Sequence, residues 1–129
     1  EICNKDSRQL TAEDRVAVIG EYVGNPNKDC IITSGTYAMP DLANQIYQSE
    51  QKKAAIDKRC VLTGALTPLN GFARSDAGFN IGMSIAALLS LHDSEIAVCM
   101  SGRLIEAGQV SKEANTTRFI PSHPKFQKK

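Results

Sequence analysis

The chain has 129 residues, 42% hydrophobic and 22% charged, with a formal net charge of +1. That composition fits one ordinary globular domain, and so small a net charge excludes a broad basic field for nucleic acid. A membrane span is excluded too, because it needs ~20 uninterrupted apolar residues, and the longest candidate, 81–91, is broken by Gly82, Ser84 and Ser90.

The chain opens on Glu1, as a secreted chain does once its signal peptide is removed. Residues 1–10 are polar apart from Ile2 and Leu10, leaving Cys3 as the residue to pin them down. Thr11 is the first helix signal: its hydroxyl can accept a first-turn N–H, Glu13 and Asp14 suit the positive end of the dipole, and Val16, Ile19 and Val23 recur on one face. Gly24 stops this helix, Asn25-Pro26-Asn27 turns the chain, and Cys30-Ile31-Ile32-Thr33 is a short extended run. A second helix begins near Pro40 with Leu42 and Ile46. The polar stretch Ser49-Glu50-Gln51-Lys52-Lys53 then separates it from a third, which carries Ile56 and Cys60 and ends at Gly64.

Thr67-Pro68-Leu69-Asn70-Gly71 is turn chemistry, and Ser75 or Asp76 can cap a helix over 77–91. Apolar nearly all round, that helix belongs at the centre of the molecule, with Gly78, Gly82 and Ala86 allowing a close neighbour. Asp93 or Ser94 can start a last helix through Ile96, Cys99 and Leu104 to Gly108, the rival reading being a strand at 96–100. Beyond Val110 the periodicity is lost, Pro121 and Pro124 oppose regular structure, and the charge is net +4. The expected architecture is mainly α: a compact orthogonal bundle of four to five helices over 1–109, stapled by disulfides, with an irregular basic tail over 110–129. The alternative is α+β, with short strands near 30–33 and 96–100.

Cys3, Cys30, Cys60 and Cys99 stand 27, 30 and 39 residues apart. Metal knuckles and dithiol motifs need closely paired cysteines, so long-range disulfides are the natural reading, and of three connectivities Cys3–Cys30 with Cys60–Cys99 best tethers neighbouring segments. Disulfides imply an oxidising compartment, periplasmic or extracellular.

His92-Asp93-Ser94-Glu95 and Cys99 could serve a small hydrolase, yet a helix boundary calls for the same residues as caps, and about 10 Å of helical rise would separate His92 from Cys99. Ser49-x-x-Lys52 and Ser122-x-x-Lys125 match only the loosest acyl-transfer pattern. Asn115-Thr116-Thr117 is a glycosylation sequon. No cofactor or metal motif is present, so neither is expected. Ser34, Tyr37 and Met39 lie in an uncharged connection suited to anchoring a partner.

These features point to an extracytoplasmic binding module without enzymatic activity, such as an inhibitor or immunity-type protein that blocks a cell-wall-hydrolase toxin. Its partner would be another protein, with a homodimer also compatible. A secreted hydrolase using His92 or Cys99, and an envelope secretion or assembly accessory, are the alternatives.

Overall fold

The computed structural model describes residues 1–51, 57–112 and 119–121. After a 3-10 turn at Ser7–Gln9, helix α1 covers Ala12–Gly24. The Thr11 side chain accepts from Asp14 N while the Asp14 carboxylate accepts from Thr11 N at 2.9 Å, a reciprocal cap that fixes where α1 starts. Strand β1 (Asp29–Thr33) leads into helix α2 (Met39–Gln51), and strand β2 (Arg59–Thr63) into helix α3 (Ala77–Ser90). Strands β3 (Ile96–Met100) and β4 (Arg103–Glu106) then form a hairpin, and β5 (Val110–Lys112) pairs with β6 (Phe119–Pro121).

The main sheet has the order β1-β2-β3-β4, with the first three strands parallel and β4 antiparallel. Arg59 fixes the β1–β2 register: its guanidinium makes two 2.8 Å bonds to the carboxylate of Asp29, its partner across the strands. On one face, Val18 and Tyr22 of α1 and Leu42 and Ile46 of α2 pack on Cys60, Leu62, Ile96 and Val98, joined by Val110 and Phe119. On the other, Ala87 and Leu88 of α3 cover Val61 and Cys99. Both faces are therefore buried, as parallel strands require.

Successive parallel strands step across the sheet in one direction, yet α2 and α3 lie on opposite faces. One of the two crossovers is therefore left-handed, a hand adopted by only ~2% of such connections.

The helical bundle expected from the sequence does not form; the fold is α/β, built on a mixed four-stranded sheet. The expected third helix ends instead as β2, and the expected last helix is the β3–β4 hairpin. Ile96-Ala97-Val98-Cys99-Met100 is buried at every position because helices cover both of its faces, so it lacks the alternation that marks a half-exposed strand. Glu95 accepts from His92 N at 2.7 Å in a turn rather than a helix cap. Ser101 and Gly102, both at positive φ, close the hairpin. Gly108, at φ +88°, turns β4 into β5, and its N–H reaches Asn44 at 2.9 Å.

Helix α3 forms where expected but covers one face of the sheet instead of occupying the centre, leaving Phe79, Ile85 and Leu89 exposed. In place of a wholly irregular tail, β5 and β6 add Val110 and Phe119 to the core; Asn115, Ser122 and the last lysines lie outside the described residues.

No cysteine is in a disulfide. Cys60 faces α1 and α2 while Cys99 faces α3, so the sheet separates the pair expected to bond. Cys30 is the cross-strand neighbour of Cys60 rather than a bonded partner of Cys3.

Candidate active site

In an open α/β sheet, ligands bind at the carboxyl ends of adjacent strands whose following connections leave for opposite faces. Here β1 and β2 meet that condition, since β1 leads to α2 and β2 to α3 on the other side. A cleft of about 340 Å³ opens there, lined by Thr33, Ser34, Gly35, Gly64, Ala65, Ala77 and Ile81. A larger cleft of about 440 Å³ runs between the amino-terminal segment, α1 and β1, with Cys3, Lys5, Tyr22 and Cys30 in its lining. The two meet at residues 33–35. Topology places the candidate active site at the smaller one.

Two glycines let the segments at this edge pack closely. A Cβ on Gly64 would sit 2.2 Å from the Ser34 carbonyl oxygen and 3.0 Å from Met39 Cε. One on Gly35 would sit 2.6 Å from both Cβ and Oγ of Ser7. Ser7 is buried and accepts from Tyr37 N at 3.2 Å, tying the 3-10 turn to the β1–α2 connection. Ser34 N donates to Thr63 O at 2.9 Å, extending the ladder past the strand ends. Thr33, Ser34 and Thr36 thus put three hydroxyl-bearing residues at and just after the tip of β1.

The other half of the edge is held by Asn80, fully buried on α3. Its amide nitrogen donates to Gly64 O at 2.9 Å and to Asp76 Oδ2 at 2.8 Å, and its amide oxygen accepts from Ser101 N at 3.1 Å. Asp76 accepts from Thr67 N at 2.9 Å and Leu66 N at 3.1 Å, binding the β2–α3 loop to the helix start. Burial pushes the Asp76 carboxyl up, but those backbone donors and the Asn80 amide outweigh it, and its pKa is lowered overall. The helix-cap bond expected of Ser75 or Asp76 comes from Ser75, whose hydroxyl accepts from Ala77 N at 3.1 Å.

Of the expected partner-binding residues, Ser34 lines the cleft. Tyr37 is exposed with Arg8 over its ring at 5.9 Å, and Met39 is wholly buried in the core. His92 lies on the loop before β3, while Cys99 is buried under α3 near the end of that strand. Burial pushes the Cys99 thiol up, with the Ser84 hydroxyl only partly opposing, which leaves it a poor nucleophile at neutral pH.

Comparison with protein families finds that the model described as Asparaginase, N-terminal matches residues 1–126. The chain belongs to the asparaginase family. No individually curated protein matches it. Membership in an enzyme family overturns the expectation of a non-enzymatic inhibitor or immunity protein, and equally that of a secretion accessory. The alternative hydrolase built on His92 or Cys99 is not supported either, since neither residue lines the cleft and Cys99 is buried under α3. The residues that sequence reasoning missed are Gly35, Gly64, Asp76 and Asn80 as a joint frame. The short extended run Cys30-Ile31-Ile32-Thr33 and the uncharged connection after it are visible in the sequence, but their value depends on β2 lying beside them.

Proposed function

We propose that this chain acts in hydrolysis of the side-chain amide of asparagine, with the carboxyl ends of β1 and β2 as the place where the amide is held. The family match over residues 1–126 carries this reading. The chemistry of the edge supports it. Amide hydrolysis needs an oxygen nucleophile and donors for the oxyanion that forms. Thr33, Ser34 and Thr36 supply hydroxyls at and just after the tip of β1, and Thr33, Ser34, Gly35 and Gly64 line the cleft. The segment's three hydroxyls, on Thr33, Ser34 and Thr36, are the first to test, that of Ser34 donating to Gly35 O at 3.1 Å.

The test is ammonia release from L-asparagine and L-glutamine by the purified protein and its Thr33→Ala, Ser34→Ala and Thr36→Ala variants. Loss of a reacting hydroxyl should lower turnover at least about a hundredfold with folding intact. Absence of ammonia from both amides, or turnover unchanged in all three variants, would overturn the proposal.

A further inference from the structure

The larger cleft has its own chemistry, independent of amide hydrolysis. Cys30 lies in its lining on β1, and Cys60 is its register partner on β2, facing the same side of the sheet. Neighbouring strands are ~4.8 Å apart, which brings the two sulfurs together. Cys60, fully buried, thus holds its sulfhydryl on the same face beside Cys30, in position to donate to it. Next along β2's approach, the Lys58 ammonium is buried against the end of α1, donating to the carbonyls of Tyr22 and Asn25 and lying 5.1 Å from the Tyr22 ring centroid. Cys30 therefore has a hydrogen-bond donor behind it, a cation nearby and a cavity in front.

We propose that Cys30 is a covalent-modification site for small soft electrophiles of the Michael-acceptor class, entered through the amino-terminal cleft, with Cys60 as the positioning residue that activates it. The Cys30 thiolate sulfur bonds to the β-carbon of the acceptor, the electron pair of the carbon–carbon double bond moves to the α-carbon, and that carbon takes a proton from water. No oxidant or reductant is consumed. A cleft of about 440 Å³ is large enough for such a molecule. Cys3 lines the same cleft but has no in-register sulfhydryl beside it, and Cys99 is buried on the far face.

The probe is N-ethylmaleimide at neutral pH on the intact chain, read by peptide mass mapping over time. The Cys30 pKa is lowered from 9.0 to about 7, the Cys60 bond being the main cause, with burial opposing and the Lys58 charge assisting. The larger thiolate fraction, offset by lower intrinsic nucleophilicity, makes Cys30 about five- to tenfold faster than an ordinary thiol. Cys30 should be labelled first, Cys3 more slowly, and Cys60 and Cys99 only after denaturation. Cys60→Ala should slow Cys30 labelling by a similar factor, while Cys60→Ser, whose hydroxyl can still donate, should retain most of the rate. Labelling of Cys3 ahead of Cys30 in the wild-type protein would overturn the proposal, whether or not the variants fold. So would an unchanged Cys30 rate in folded Cys60→Ala.

Discussion

Asn80 is the residue whose replacement tests the architecture of the site most sharply. Asn80→Ala removes its amide bonds to Gly64 O, Asp76 Oδ2 and Ser101 N, leaving backbone groups at the ends of β2 and β3 without that partner. Each abandoned buried group costs about 1–3 kcal/mol, so the loss should total about 3–5 kcal/mol and lower Tm by roughly 10–20 °C in a chain of this size. Asn80→Asp separates charge from shape. The new carboxyl keeps an acceptor for Ser101 N but sets an anion against the Gly64 carbonyl and the Asp76 carboxylate. Burial and that like charge hold its folded pKa above the ordinary value near 4. The folded variant then binds a proton that the unfolded chain does not, so its deficit relative to wild type should shrink as pH falls from 7 to 5, while the Asn80→Ala deficit stays flat. Chemical denaturation followed by circular dichroism at three pH values measures both. Deficits below about 1 kcal/mol, or parallel pH behaviour of the two variants, would refute the assignment of Asn80 as the clamp.

Gly64→Ala should destabilise by about 3 kcal/mol or more, because its Cβ meets backbone at Ser34. Gly20→Ala and Gly82→Ala, which project into open space on helices, should instead gain about 0.5–1 kcal/mol; thermal denaturation of the three variants checks the contrast. Lys58→Met should cost about 2–3 kcal/mol by removing the charged donor from the last carbonyls of α1, with hydrogen exchange in that turn rising first. Asp76, with its lowered pKa, contributes stability that is present above the unfolded carboxylate value near 4 and lost as pH falls through the lower folded value. Asp76→Asn should therefore flatten the acid limb of an unfolding titration.

Local signals were legible where one segment decides its own structure. Thr11, Glu13 and Asp14 announced α1, Pro40 and Leu42 the start of α2, and Asn25-Pro26-Asn27 the turn before β1. What could not be decided locally was β3, whose strand at 96–100 stood only as the rival to a helix. A strand buried on both faces has no alternation, and its flanking Asp93 and Gly108 are as good for turns as for helix ends. Long-range cysteine pairing failed for a related reason: whether Cys60 and Cys99 can meet depends on which face each presents, and that parity is set only when β2 and β3 align. The site shares this dependence. Its hydroxyls sit in one short segment, but the frame that makes them a site comes from Gly64 and Asn80, brought there by the sheet.

The arrangement of the sheet also orders its assembly in time. Partners across β3 and β4 are close in sequence and can pair in the microseconds typical of a hairpin. Cys30 must find Cys60 across 30 residues, and Cys60 must find Ile96 across 36, so those ladders have to overcome loop closure before contact repays it. The bond from Ser34 to Thr63 and the clasp of Asn80 on Gly64 belong to this late class. Substitutions there should speed unfolding while leaving the refolding rate almost unchanged, so the edge that is last to form governs how long the native state endures.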